Sequence, residues 1–461
     1  MTATQPSTEG VTNAAELNQW IEHEGIRFFK IGIFDIDGVL RGKYVDLGKL
    51  QSAVDKGFGL CDVVLGWDMH DQLYERVEVS GWHTGYRDAS VQLDLASLRR
   101  IPFEEDTLLL IGSFSGVHAE VCPRTTLSRT IDRAAAMGFG VDAAFEYEFF
   151  LFDETPHSIR EKGYRDLQPV TPGMFGYSVL RNSVHAEFYH DLLDLMEEFD
   201  CAIEGLHTET GPGVVEAAIR YSRGLAAADK AALFKTFTKV FAQRSDMMAT
   251  FMAKWSNDYP GQSGHLHISF ADLASGQNAF HAEGAPHEMS QTMQHFVAGQ
   301  VRYLPELLSM VCSTINSYRR LVPGMWAPTA SNWGVENRTT AIRVIPAGPQ
   351  AQRSEYRIAP ADANPYLAQA AALASGLRGI EERLELSDPI LGNAYEDSGA
   401  TSHPLPTSLR EASALLRGST MARESFGDAF VDHFTATRDW EDRESSKAVT
   451  DWDLARYFEI I

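Results

Sequence analysis

Residues 145–152 read Phe-Glu-Tyr-Glu-Phe-Phe-Leu-Phe. The run is rich in aromatic residues and predicts a β-strand, in which positions i and i+2 share a face. Glu146 and Glu148 then project side by side, roughly 6–7 Å apart. Two carboxylates at that spacing repel unless a cation lies between them. A hard divalent ion such as Mg²⁺ or Mn²⁺ answers that need. A solvated face of an antiparallel strand accounts for a single pair equally well, so the rest of the chain has to decide.

The pattern recurs. His207-Thr-Glu209 is followed by Thr-Gly-Pro-Gly and then Glu216, and the glycines predict a bend that brings Glu209 and Glu216 face to face. His265-Leu-His267 and Glu355-Tyr-Arg357 repeat the spacing of two. Set in strongly apolar strands, these segments predict a polar lumen lined by a curved sheet. Carboxylates with imidazole and no nearby thiolate fit Mg²⁺ or Mn²⁺ better than Zn²⁺. Downstream the chain gathers Arg319, Arg320, Arg338, Arg343, Arg353 and Arg357. Guanidinium groups suit carboxylates and phosphates, although surface pairing with Asp or Glu is the ordinary use. Acidic metal ligands plus arginines are the components of phosphoryl transfer.

A second acidic motif points elsewhere. Phe34 to Leu40 reads FDIDGVL, which matches the aspartyl-phosphatase signature with Asp35 as nucleophile and Asp37 as acid. A short motif is only a hypothesis until its context confirms it. A β-turn around Asp37-Gly38 between two strands is the better reading.

The 461 residues predict two domains. The formal net charge of −23 argues against a nucleic-acid partner. Cys61, Cys122, Cys201 and Cys312 form no CxxC and read as reduced thiols. No apolar run has membrane-spanning length and the polar MTATQPSTEG start lacks a signal-peptide core, so a cytoplasmic protein that avoids membranes is expected. Along the chain, residues 1–12 read as disordered, 14–24 as a helix, and a small β-rich unit runs to about 115. Then come a helix from Thr125 to Met137 capped by Thr125 or Thr126, and the acidic strand from Gly138 to Phe152. Helices are expected over 185–198, 225–249, 290–315 and 365–382. Strands are expected over 214–221, 264–270, 341–346 and 355–358. A tail from about 385 turns helical again. The order implies an α+β chain with antiparallel strands.

Together FEYEFFLF, HTETGPGVVE, ATFMAKW, GQSGHLHIS, NSYRRLVPGMWAP, NRTTAIRV and SEYRIAPADANPYLA resemble the glutamine synthetase family, over about residues 28–385. The resemblance implies a β-grasp N-terminal domain over 13–115 and a catalytic domain with a curved antiparallel sheet over 116–461. It further implies active sites between subunits of a ring, often a dodecamer. By the same resemblance Glu148, Glu209 and Glu216 are expected to hold the metal near glutamate. Glu146, His265 and Glu355 are expected to hold the metal at the nucleotide phosphates. Glu204, His267, Ser269 and Arg353 match nucleotide contacts, with Tyr221 beside adenine. Gly261, Arg320 and Arg357 match amino-acid contacts, and Arg338 and Arg343 face the transferred phosphoryl group. The implied reaction uses ATP to turn the γ-carboxylate of glutamate into an acyl phosphate, which an amine then attacks.

The chain departs from ammonia-using members at one telling place. Their GxEAP-type motif carries a Glu at the ammonium site, whereas here Gly324-Met-Trp-Ala-Pro328 puts Trp326 there. An indole accepts no proton but offers an apolar and cation–π face. A hydrophobic aryl or alkyl monoamine is therefore expected ahead of ethanolamine-like or polyamine substrates, with ammonia last. Ordinary loop packing is the plain alternative for Trp326. Asp62, or equally Asp68, matches the family's other ammonium-binding acid, supplied by the neighbouring subunit. Pro260 stands where ammonia-using relatives have Asn. A non-catalytic scaffold is disfavoured because every acidic ligand position is filled.

Overall fold

In the computed structural model, which describes residues 11–396 and 402–461, the acidic strand Phe139–Phe152 is the centre of a nine-stranded sheet. Residues 1–10 of the expected disordered start lie outside the described residues. The main path of the sheet runs Trp333–Val335, Ile342–Ile345, Arg353–Tyr356, Gly264–Asp272, the acidic strand, Val214–Ile219 and Ile203–Thr208. Every pairing is antiparallel except that of Trp333–Val335 with Ile342–Ile345. Phe145, Tyr147 and Phe149 point away from the glutamates and stack among Phe234 and Phe251. The aromatic half of FEYEFFLF thus anchors the sheet on helix Ala226–Arg244, and the acidic half is left for the other face.

Behind the sheet, helix Pro365–Glu382 lies against helix Gln291–Val311. Their approach needs glycine. A Cβ on Gly379 would sit 2.1 Å from the His295 carbonyl oxygen. Asn364 caps the first of these helices by accepting from the Tyr366 N–H, and its amide donates to the Asp35 and Ile36 carbonyls, which ties the N-terminal unit to the catalytic core.

The N-terminal unit is a five-stranded sheet in which Phe28–Phe34 runs parallel to Thr107–Phe114 and the remaining pairs are antiparallel, with helices Ala14–Glu24 and Leu47–Lys56 beside it. It has a core of its own, built on Leu17, Ile21, Ile31, Leu50, Val91 and Leu110. This is the expected α+β architecture, a grasp-like sheet followed by a curved antiparallel-rich one. The FDIDGVL motif is a turn. Gly38 has φ 78°, and Asp35 accepts from the Asp37 and Val39 N–H groups.

Three expected boundaries move. Helix 225–249 stops at Arg244, because Asp246 turns left-handed (φ 56°) and Met248–Thr250 pairs with the acidic strand instead. Helix 290–315 stops at Val311, and a separate helix Ile315–Arg320 starts from a Thr314/Ser317 capping box. The cap at Thr125 or Thr126 is replaced by Cys122 at the cap position with Pro123 in the first turn. The tail forms helices Leu409–Gly418, Thr420–Phe426, Asp428–Ser445 and Asp451–Tyr457. It returns to the N-terminal unit through Arg438 to Asp37 (2.6 Å) and Trp440 to Asp68 (3.2 Å).

Candidate active site

Strand register builds the site. Glu146 lies opposite His265, Glu148 opposite Glu216, and Glu216 opposite His207. On the other side His267 faces Glu355, and Glu355 faces Arg343. Residues directly opposite in an antiparallel pair share a face. One face of the sheet therefore collects acids, imidazoles and guanidiniums around a cavity of about 420 Å³. Glu146, Glu148, Glu209, Glu216, His265 and Glu355 line it, as do His267, Gly261, Trp326, Arg338, Arg343, Arg353 and Arg357.

Six residues given site roles by the resemblance lie outside that lining. Arg320 is fully buried beneath the floor and donates to Ser263 Oγ (2.9 Å) and the Ile358 and Arg357 carbonyls. Its place excludes a side chain at residue 261, since a Cβ there would lie 2.7 Å from Arg320 Cγ. Ser269 shares the face of His265 and His267 but sits opposite Asp142, toward the far end of the acidic strand, near the exposed Tyr221. Glu204 is exposed beside Arg220. Asp62 belongs to the N-terminal unit and is 0 % exposed, accepting from Ser80 Oγ at 3.0 Å. Asp68 is used by its own turn and by Trp440. Neither of these two acids joins this chain's cavity.

The acids disturb one another. Burial, reinforced by Glu209, raises the Glu148 carboxyl to about 7 against the opposing Arg320 charge and Ser263 N–H. Burial and the charges of Glu146 and Glu148 raise Glu216 to about 8. Burial opposes the charged form of His207, yet its 3.1 Å contact with Glu216 outweighs this and lifts the imidazole to about 9. Burial and Arg357 push His265 down to about 4. Glu355 goes the other way: burial opposes it, but Arg357 and its neighbours hold it near 2.

This donor set fits divalent cations. Ligand atoms of Glu146, His267 and Glu355 lie within 4.8 Å of one another, and so do those of His207, Glu209 and Glu216. The Nε2 of His265 is buried without a partner. Glu148 and His265, which the resemblance implies as ligands, line the same cavity beside these groups: His265 Nδ1 lies 3.6 Å from Glu146 and 3.4 Å from Glu355, and one Glu148 oxygen accepts from the Ser263 N–H (2.8 Å).

Tyr177, in the lining, and Glu336, bonded to Arg343, are residues the sequence did not single out. His207 is visible in the HTE spacing, but its partner Glu216 emerges only from register. Tyr177 stacks on His207 at 4.3 Å from an irregular connection, with φ 56°. At the rim Trp326 is 57 % exposed with φ 60°, beside Met325 and Pro260. The indole is thus open on this chain, available to a ligand or to a neighbouring subunit.

The glutamine synthetase catalytic-domain family matches residues 120–457. The chain belongs to the glutamine synthetase family. It is 46% identical over 440 residues to type-1 glutamine synthetase 2 of Dictyostelium discoideum, covering 94% of this chain and 84% of that protein. The glutamate–isopropylamine ligase of a Pseudomonas species is 37% identical across 99% of this chain and 100% of its own length. Among solved structures a GmaS/ADP complex superposes with a TM-score of 0.84 at 25% identity, covering 96% of this chain and 99% of the other. This glutamine synthetase-family chain is a ligase by that kinship, and among its described residues no helix is long and apolar enough to cross a membrane.

Proposed function

We propose that the chain joins the γ-carboxyl of L-glutamate to an organic amine, with a hydrophobic aryl or alkyl monoamine favoured, through a γ-glutamyl phosphate made from ATP. The observation that carries this is Trp326, an indole at the cavity rim where ammonia-using relatives carry an acid. An isopropylamine ligase among the relatives supports it.

Bound Mg²⁺ or Mn²⁺ would neutralise phosphate charge, held by the Glu146/His267/Glu355 and His207/Glu209/Glu216 groups with Glu148 and His265 beside them. The chain's own groups do the rest. Arg338 projects into the cavity with no ion pair among the described residues, ready to meet the transferred phosphoryl group. Arg353 donates to His267 (3.2 Å) and joins the imidazole to the nucleotide end, with Ser269, Tyr221 and Glu204 on the sheet beyond. Arg357 and Gly261 flank the space for glutamate, with Arg320 fixing that floor from below. Trp326, Met325 and Tyr177 offer apolar surface to the body of the amine. An arylamine arrives neutral and needs no base, whereas an alkylamine must first lose a proton.

We assign the division between the two domains to about residue 115. Assembly into rings, with twelve subunits as the expected number, follows the family pattern. Exposed Phe175, Val179, Leu180 and Val184 beside Tyr177 support a neighbouring copy there; Asp62 or Asp68 of a neighbouring subunit as the amine-site acid rests on the family resemblance alone. Four free cysteines and dependence on ATP support a cytoplasmic setting.

A second reading, ammonia as acceptor, is favoured by the Dictyostelium relative's name. Phosphate release measured with glutamate, ATP and a panel of amines separates the two. An organic monoamine is expected to be the best acceptor, and ammonia as the best acceptor would overturn the proposal.

A further inference from the structure

Arg343 is held by two carboxylates in very different surroundings. Its Nη1 donates 2.9 Å to Glu355 Oε2. Its Nε donates 3.1 Å to Glu336 Oε2, and its Nη2 bonds the same oxygen. The other oxygen of Glu355 is taken by Arg357 Nη1. Both oxygens of a carboxylate that is 1 % exposed are thus occupied by guanidinium groups. A cation cannot share an oxygen with a guanidinium without facing its positive charge at close range. Each Glu355 oxygen keeps a second lone pair for a ligand, but a cation seated there binds more tightly once one arginine has moved off that carboxylate.

Glu336 is placed to receive that arginine. Its side chain is 47 % exposed, so its ionised form stays solvated. It occupies the turn between Trp333–Val335 and Ile342–Ile345, with φ 52° and its N–H bonded to the Val344 carbonyl (3.0 Å). A non-glycine residue in that region carries some backbone strain, and the hydrogen bond fixes the carboxylate alongside Arg343. Arg338, two residues on, has no such partner. Among the described residues the two arginines at the phosphoryl end are therefore not equivalent: Arg338 has no carboxylate partner and Arg343 has two.

We infer that Glu336 is a positioning residue that draws Arg343 off Glu355 when a divalent cation seats there, exchanging one ion pair for another. The inference rests on the metal reading of Glu355 given above. It predicts coupling between a surface carboxylate and cation affinity that runs through Arg343 and not through the field of Glu336 itself.

Nucleotide-free Mn²⁺ titrations on the full chain test it. Glu336→Gln and Glu336→Ala are each expected to weaken the site containing Glu355 by about five- to tenfold, leaving the His207/Glu209/Glu216 site unchanged. In an Arg343→Ala background the Glu336 substitutions are expected to have no further effect. Equal weakening in both backgrounds would reduce Glu336 to a through-space charge and overturn the inference. Unchanged Mn²⁺ binding in the single variants would also overturn it while leaving the metal reading intact. A parent protein that binds no Mn²⁺ would overturn both.

Discussion

The molecule carries two acidic pairs at the same spacing, Asp35/Asp37 and Glu146/Glu148, with opposite fates. Asp35 is buried under two turn N–H groups and Arg41, and Asp37 is paired with Arg438. Glu146 and Glu148 face a cavity in which further carboxylates and imidazoles converge. Proton affinity alone does not separate the pairs, since burial and Asp37 raise Asp35 to about 7, much as burial raises Glu148 to about 7. Access and partners separate them. One pair is answered by the chain's own cations and closes a turn; the other is answered mainly by more acid and stays open to a ligand.

The largest expected effect tests the open pair. Glu148→Ala should lower turnover by roughly 10²–10³-fold or more, with the melting temperature unchanged or raised, as measured by phosphate release and thermal unfolding. Undiminished activity would remove Glu148 from the site. The closed pair should behave in reverse. Asp37→Ala leaves the buried Arg438 unpaired and is expected to cost about 3 kcal/mol in urea unfolding. A variant as stable as the parent would show that the turn does not depend on that pair.

The difference can be sharpened by pH. Cation binding needs Glu216 and Glu148 ionised, and their values of about 8 and about 7 mean that protons compete below pH 8. Mn²⁺ affinity should fall as pH drops from 9 to 6, by up to about tenfold per unit for each proton displaced, and should level off above about 9, where His207 as well as the acids has lost its proton. A flat titration would mean that these acids are not ligands. The smallest effect concerns the rim. Trp326→Glu should move acceptor preference toward ammonia by roughly tenfold in kcat/KM ratio, and no shift would show that the indole is not the selector.

Much of this was legible in the sequence because strand alternation writes chemistry onto one face. FEYEFFLF revealed both the buried aromatic side and the acidic side. What stayed hidden depends on partners distant in sequence. Which imidazole lies opposite which carboxylate is set by register, so the 3.1 Å contact of His207 with Glu216 could not be read from spacing. Arg320 belongs to the same arginine-rich stretch as the lining residues, yet the Ser263 hydroxyl and two carbonyls hold it below the floor. Glu336 adopts left-handed backbone without glycine, so no turn residue announced it.

Everything turns on whether the open pair holds cations. A crystal grown with Mn²⁺ and nucleotide, phased at the manganese edge, gives the most direct answer. Two anomalous peaks are expected, one among Glu146, His265, His267 and Glu355 and one among Glu148, Glu209, Glu216 and His207, at about 2.0–2.3 Å from carboxylate oxygens. Strong density for nucleotide with no peak at either group, or a peak at Asp35 and Asp37 instead, would contradict the account.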